Sequence, residues 1–569
     1  MNRILGVAMN RKIKLLLEGT AVLTALLTFN SAKVSAQSNK SSLVRTTQFG
    51  KVKGIKENNT LNWRGIPYGG SVAGSHRWKA PTNPKKWKKT KTTVKTITAV
   101  QYNNNKVTGS ESKALTLDIT RPNNNKKNLP VLVYIHGGNN QTGTSQEIDG
   151  SDFVRKHNAV YVAINYRLGA LGFNPLQALK GKDRYVNSGN YALLDMHKAL
   201  NWVNKNIGNF GGNKKNIIVS GFSAGGRDVM AMLISPMFHN QFKRAIVFSG
   251  GMTLSDVKKS QKVYAKAFAP LVVEDKKAKN EQQAERWLLS SKNKKQVKKY
   301  LYSIKANRLA KLMGNASIRM SVFPHLFKDG VVIPKSGFNT TKYNNVPTLI
   351  TTGSREFSLF SAFDPYFVKY ATTGKLMGNN EIGKEYQFVF KNGGKLYGRF
   401  NLEDSANKML DQGFKSKLYG LQINFGNDPK VVGNKMAMLG AFHGVFVPLL
   451  DPSSQSYNAL VGDAYQSNGA KELSTNFQNY IYDFMTGNRM WTPYSKDTRK
   501  VLNIDATKDK AQATLKTTAF TDNDILNEMS NDDTITANKK EYLIKHVMNG
   551  RWFSHQLDEK YNNLSDFDK

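Results

Sequence analysis

The chain has 569 residues, of which 40% are hydrophobic, and its 83 Lys and Arg against 41 Asp and Glu give a formal charge of +42. That apolar share excludes a disordered or fibrous chain, while the length admits several domains or one large α/β unit. The absence of Cys excludes disulfide scaffolds, Cys-based zinc sites, thiol nucleophiles and Cys-linked lipid anchors.

At the N-terminus, Arg11, Lys12 and Lys14 precede an apolar stretch that runs to Phe29. Val34-Ser35-Ala36 then has the small-x-small form of a cleavage site. Residues 1–36 read as a secretory signal peptide, with Glu18 as an irregularity in the apolar region, and predict a secreted protein. An amphipathic first helix is the alternative. No later segment offers the roughly 18 uninterrupted apolar residues of a membrane span. Cleavage takes away five basic residues and one acidic residue, which leaves 533 residues at +38. So basic a surface suits anionic polymers. For a secreted chain without Cys, cell-wall polymers are favoured over nucleic acid, because no nucleic-acid motif accompanies the Lys runs at 85–89 and 292–299. A solvated Lys-rich face with no partner explains those runs equally well.

From residue 37 to 569 the pattern predicts one α/β domain, in which a mostly parallel sheet is flanked by helices. In chain order, strands are expected at 131–135, 160–165, 217–220, 244–248, 348–352 and 419–425. Helix 192–207 carries Leu193, Met196, Leu200, Val203 and Ile207 at spacings of three and four, one buried stripe. Two stretches fit the sheet pattern poorly: the Lys-rich segment 255–317, and the segment 364–411, which mixes charge, Gly and aromatic residues. Both are expected as lid-like insertions around a pocket. Residues 506–538 read as a loose polar surface excursion.

The chemistry-bearing residues fall at the ends of these strands. The strand at 131–135 runs into His136-Gly137-Gly138-Asn139. A Gly-rich loop there lets backbone N–H groups turn inward, and Gly138 and Asn139 are the candidate oxyanion donors, with His136 as a structural residue. The strand at 217–220 runs into Gly221-Phe222-Ser223-Ala224-Gly225 and a following apolar helix. This is G-x-S-x-G in its strand–turn–helix setting, with Ser223 the candidate nucleophile and the Ala224 N–H a further oxyanion donor. A Ser hydroxyl needs a base to attack an ester. Of nine His, only His443 follows a late strand with a Gly beside it. The imidazole in turn needs a carboxylate partner. Glu356, in the polar loop after strand 348–352, and Asp404 and Asp411, further along the chain, are the candidates, and the choice among them is left to the resemblance below.

Taken together, the chain resembles the type-B carboxylesterases of the α/β-hydrolase fold, the group of bacterial para-nitrobenzyl esterases and cholinesterases. The resemblance rests on blocks in order along the chain. They are Trp63-Arg64-Gly65-Ile66-Pro67-Tyr68-Gly69, Arg77-Trp78, the His-Gly-Gly loop, Asn165-Tyr166-Arg167-Leu168-Gly169, Asn190 to Asp195, Phe210-Gly211-Gly212, the Ser223 turn, Asp329-Gly330, His443-Gly444 and Asn476-Phe477 through Thr486-Gly487. It implies a Ser223–His443–Glu356 triad, a small-molecule ester substrate, hydrolysis through an acyl-enzyme, and no metal or organic cofactor. It also implies a buried Arg167–Asp195 pair and a Ser249 near the active site, for which a core role is the default. Two departures stand out. Asn139 replaces a Gly common in the loop, and Arg227-Asp228 replace small residues after the Ser turn, either to bind a polar substrate or as a local ion pair. Narrower readings are a tannase-like or feruloyl-type esterase acting on phenolic esters, and a catalytically idle cell-surface adhesin.

Overall fold

The computed structural model describes residues 43–313, 323–454, 457–518, 520–551, 553 and 555–561. The signal-peptide segment, residues 1–36, lies outside the described residues.

Eleven strands form the central sheet. In chain order they are β1 Ile55–Glu57, β2 Thr60–Pro67, β3 Thr116–Pro122, β4 Leu129–Ile135, β5 Val160–Ile164, β6 Gly212–Phe222, β7 Arg244–Phe248, β8 Thr348–Gly353, β9 Leu418–Ile423, β10 Lys500–Ala506 and β11 Ala511–Thr517. Across the sheet the order is β11-β10-β9-β8-β7-β6-β4-β5-β3-β2-β1. Pairing is parallel from β10 through to β5 and antiparallel at both edges.

A parallel sheet joined by helical crossovers is covered on both faces, so its central strands must be apolar throughout. All seven residues of β4 and all five of β5 are buried. Their side chains divide by the two-residue period of a strand. Val131, Val133, Ile135, Val219 and Val247 enter one apolar cluster, while Leu132, Tyr134, Ile218, Ile246 and Phe248 enter the other.

The helices that matter for the site are α1 Tyr191–Asn206, α2 Ala224–Ile234, α3 Val257–Glu274, α4 Glu281–Leu289, α5 Lys294–Ser303, α6 Ala306–Lys311 and α7 Glu381–Arg399. Of the insertion expected at 255–317, the described residues 255–313 hold α3 to α6. That expected at 364–411 is dominated by α7, which continues into a π-helical turn at Phe400–Asp404 and the helix Ser405–Asp411.

One expectation is corrected. Residues 506–538 are not a loose excursion: β11 pairs with β10 over seven residue pairs, and a helix at Asp522–Asn531 is held by a Thr521 capping box. The polar composition misleads because β11 is an edge strand, with side chains mostly exposed or half-buried. Its backbone pairing needs no apolar pattern.

Candidate active site

Ser223 stands between β6 and α2 at φ 55°, ψ −116°. A non-Gly residue held there carries strain of about 1–3 kcal/mol, which persists only where the surroundings over-determine it. Here the two flanking glycines set the turn. A Cβ on Gly221 would lie 2.2 Å from the Gly225 carbonyl oxygen, and one on Gly225 would lie 2.1 Å from the Ile135 carbonyl oxygen. No side chain fits at either place, so β6, α2 and the end of β4 approach as backbone. The Ser223 N–H donates to the Phe248 carbonyl at 2.9 Å, which pins the turn to the end of β7. Ala224 opens α2, so its N–H belongs to the first turn, whose amides have no intrahelical acceptor.

Glu356 and His443 come from loops after β8 and β9 and meet at His443 Nδ1···Glu356 Oε2, 2.6 Å. Both side chains are buried. The other carboxylate oxygen, Oε1, accepts from Ser249 Oγ at 2.6 Å, Thr352 Oγ1 at 3.1 Å and the Gly353 N–H at 2.6 Å. The imidazole is enclosed by the rings of Phe222, Phe360 and Tyr397, with centroids at 4.8, 5.1 and 5.5 Å. Its Nε2 is buried and, among the described residues, hydrogen-bonds to nothing, Ser223 Oγ included. Such contacts commonly tighten only when substrate binds. Gly444, at φ 107°, gives the turn after His443, and a Cβ there would meet the Tyr457 hydroxyl at 2.6 Å.

The alternative carboxylates are engaged elsewhere. Asp404 pairs with Arg399 at 2.6 Å, and Asp411 pairs with Lys496.

The loop after β4 curls over Ser223. A Cβ on Gly137 would lie 3.2 Å from Ser223 Cβ, so this residue passes close over Ser223. The Gly137 N–H donates to Glu147 at 3.0 Å. Gly138, Asn139 and Asn140 follow, all in the left-handed region at φ 89°, 52° and 56°. His136 is buried, stacks on Tyr166 at 4.5 Å, and turns Nδ1 to the Gly137 carbonyl at 2.9 Å. Burial pushes its pKa down to about 4, so the ring is neutral and Nδ1–H is the donor. The Asn139 side chain turns to Arg227 at 3.0 Å and to Gln141 at 3.3 Å. Gln141 in turn donates to the Met313 carbonyl at 2.7 Å, which joins this loop to the Lys-rich insertion.

Several residues differ from their sequence-derived roles. Ser249 is more than a core serine: at φ 49° it is bent to face Glu356. Its signal was its place at the end of β7, one strand from β6 and one from β8. Arg227 and Asp228 are both buried. They reach the loop asparagines, Asn139 and Asn140, by hydrogen bonds of 3.0 and 2.9 Å. Sequence alone did not show the roles of α7 either. Its Gly393 and Gly394 pack against Phe357 and Arg355 beside Glu356, and Tyr397 covers the imidazole. The Arg167–Asp195 pair is present as two contacts of 2.7 Å, buried on both sides, and holds the 165–169 loop to α1. Among the described residues no group of three or more His, Asp or Glu side chains could hold a metal ion, and no helix is long and apolar enough to cross a membrane.

Comparisons with known proteins agree with this architecture. Para-nitrobenzyl esterase of Bacillus subtilis (strain 168) is 37% identical over 216 residues, 36% of this chain and 43% of that protein. Fumonisin B1 esterase of Sphingopyxis macrogoltabida is 34% identical over 237 residues, 40% of this chain and 44% of that protein. The chain thus spans under half the length of these curated relatives. Among solved structures, a PNB esterase superposes with a TM-score of 0.65 at 23% identity, covering 84% of this chain and 97% of that one. A Geobacillus stearothermophilus carboxylesterase gives 0.63 at 22% identity, covering 83% and 98%. At these identities the likeness speaks for the fold, that of the α/β hydrolases. The carboxylesterase family model matches residues 40–395, more than half of the chain, and on that extent the protein belongs to the carboxylesterase family.

Proposed function

We propose that this protein is a serine carboxylic-ester hydrolase in which Ser223, His443 and Glu356 form the catalytic triad and the N–H groups of Gly138, Asn139 and Ala224 form the oxyanion hole. The observation that carries the proposal is the buried 2.6 Å contact between His443 Nδ1 and Glu356. It fixes the tautomer that leaves an acceptor lone pair on Nε2. Ser223 Oγ attacks the ester carbonyl carbon while its proton passes to His443 Nε2. The carbonyl oxygen becomes an oxyanion held by the backbone donors. As the tetrahedral species collapses, the C–O bond to the alcohol breaks and His443 returns the proton to the departing oxygen. Water then attacks the acyl-Ser223 ester by the same proton path and releases the acid. Family membership and the esterase relatives support the reaction class.

The decisive experiment compares the full chain with Ser223→Ala on p-nitrophenyl butyrate and on gallate and ferulate esters. Hydrolysis by the wild type and its loss in a folded variant are expected. Undiminished turnover in the variant overturns the proposal. Labelling by a fluorophosphonate separates an esterase from an idle surface binder, which stays unlabelled.

The N-terminal pattern supports secretion. A separate observation supports association with anionic cell-wall polymers: residues 255–313 hold sixteen Lys and Arg against five Asp and Glu. Lys292, Lys295, Lys298 and Lys299 of that stretch are exposed.

A further inference from the structure

Arg227 and Asp228 are buried four and five residues after the nucleophile, and the reaction scheme above uses neither. Burying a charged group is costly unless it is paired and hydrogen-bonded. What these two touch is informative. Arg227 Nη2 donates to Asn139 Oδ1 at 3.0 Å, and Asn140 Nδ2 donates to Asp228 Oδ1 at 2.9 Å. Two successive residues of α2 thus grip two successive residues of the oxyanion loop.

Those two asparagines occupy an uncommon backbone. After Gly138, both hold positive φ, where side chains other than Gly are strained. Asn tolerates this region better than most residues, but the loop still needs external fixing. Asn140 is where the fixing converges. Its carbonyl accepts from the Gly169 N–H at 2.7 Å, and its Oδ1 accepts from the Tyr166 hydroxyl at 2.9 Å. Its Nδ2 donates to the Asp228 carboxylate, as described above. Gly169 follows Arg167, which Asp195 anchors, so the chain of contacts ends in the core.

Asp228 is the costly member. Burial pushes its pKa up to about 7. Its Oδ2 is buried without a hydrogen-bond partner among the described residues. A carboxylate kept half-satisfied in the interior needs a reason beyond stability. We propose that Asp228 is a positioning residue: through Asn140 it ties the Gly138–Asn139 amides to α2, the helix that Ala224 opens, so that the loop donors and the Ala224 donor keep one spacing around the oxyanion. Arg227 and Asn139 form the second strut. The inference rests on the esterase reading above and extends it to residues that touch no reacting atom.

The test uses the full chain with Asp228→Ala, Asp228→Ser and Asp228→Asn. Ser is too short to reach Asn140 and relieves the buried charge, so it covers the case in which Ala fails to fold. Asn keeps an acceptor oxygen at the position of Oδ1. Each variant is checked by thermal melting, then assayed on p-nitrophenyl butyrate and titrated with an aryl trifluoromethyl ketone. That ketone forms a tetrahedral oxyanion on the nucleophile. A misplacement near 1 Å costs on the order of a hundredfold in rate. Ala and Ser are therefore expected to lower kcat by about tenfold to a hundredfold with KM within twofold. Affinity for the ketone should fall by the same factor, and Asn should recover most of both. Folded Ala or Ser variants with unchanged kcat and ketone affinity overturn the inference. So does a loss that appears in KM and melting temperature but not in ketone binding, since that marks a merely structural residue. If the wild type hydrolyses no ester, the esterase reading falls and takes this one with it. An active wild type with indifferent Asp228 variants sinks this inference alone.

Discussion

Replacing Glu356 by Gln changes one oxygen to an NH2 group and nothing in shape, and the structure dictates where that group must go. Oε1 accepts three hydrogen bonds, from Ser249, Thr352 and Gly353. The two hydroxyls can rotate to accept instead, but the Gly353 N–H cannot. An NH2 in the Oε1 position would face that N–H at 2.6 Å, donor against donor. The amide oxygen therefore takes the Oε1 position, and the NH2 turns to His443 Nδ1. A donor at that place forces Nδ1 to accept and puts the ring proton on Nε2. The lone pair that must take the Ser223 proton is then gone. A tautomer inverted in this way costs about 10⁴ in kcat in a serine hydrolase of different fold, roughly 5 kcal/mol of barrier. The variant should fold, because the Oε1 cradle stays satisfied. The assay is steady-state hydrolysis of p-nitrophenyl butyrate, with circular dichroism to check folding. A folded Glu356→Gln enzyme within tenfold of wild-type kcat would refute the argument that this carboxylate sets the tautomer.

Removing the Ser249 hydroxyl, by Ser249→Ala, deletes one of three bonds to Oε1. A bond to a charged acceptor contributes about 1.5–3 kcal/mol, so kcat/KM should fall between about tenfold and a hundredfold with KM little changed; an unchanged rate would show that Gly353 and Thr352 suffice. Gly225→Ala places a Cβ where the Ile135 carbonyl stands, and urea unfolding should report a loss of about 3 kcal/mol. Stability should also carry the signature of buried neutral imidazoles. His136 and His325 are held down to about 4 and about 3 by burial. Their unfolded forms bind protons from about pH 6.5 downwards while the folded forms do not, so their contribution is present at neutral pH and is lost as pH falls from there towards 4. Between pH 7 and 4.5, His136 accounts for about 2–3 kcal/mol, and His136→Asn should flatten the urea-derived stability curve by that amount; parallel curves would contradict it. Exchanging Lys292, Lys295, Lys298 and Lys299 for Gln should weaken retention on wall teichoic acid and leave ester hydrolysis unchanged, whereas equal retention would dismiss the Lys-rich helices as the contact.

The parts legible in the sequence are those whose physics is local. Buried parallel strands leave continuous apolar runs, so 131–135 and 244–248 stand out, and the observed β4 and β7 include them. Tight turns demand Gly, so Gly221, Gly225 and Gly444 marked Ser223 and His443. Two kinds of feature were not legible. Edge pairing leaves no apolar trace, which is why β11 passed for a surface excursion. Contacts between distant segments leave none either. Nothing local to Ser249 announces that it faces Glu356, 107 positions away. Arg227 and Asp228 read as contacts for a polar substrate or as a local ion pair because the sequence shows no distant partner for either. Only the fold shows that the loop after β4, 88 positions earlier, supplies their partners.

The arrangement of the site follows from strand order more than from any single motif. Along the sheet, β4, β6, β7, β8 and β9 are consecutive neighbours. Just past their carboxyl ends come the His136–Asn140 loop, Ser223, Ser249, Glu356 and, after a longer excursion, His443. Neighbouring strands lie about 4.8 Å apart, so the strand before Ser223 and the one before Glu356 stand roughly 10 Å apart. That is too far for a direct contact and about right for one imidazole between them. The strand in the gap, β7, ends in Ser249, whose positive φ turns its hydroxyl towards Glu356 and whose predecessor Phe248 accepts from the Ser223 N–H. One strand end thus holds both Ser223 and Glu356, the proposed nucleophile and acid, at a separation one imidazole can span. Strain gathers along the same rim: Asn139, Asn140, Ser223 and Ser249 all hold positive φ there. Strained positions elsewhere are mostly Asn or Gly in turns, where tolerance is cheap. Two serines in that region stand on adjacent strand ends, Ser223 tied by its N–H to the Phe248 carbonyl and Ser249 by its hydroxyl to Glu356; turn chemistry does not explain them, and the proposed triad does, since it needs its reacting atoms held at fixed places before substrate arrives.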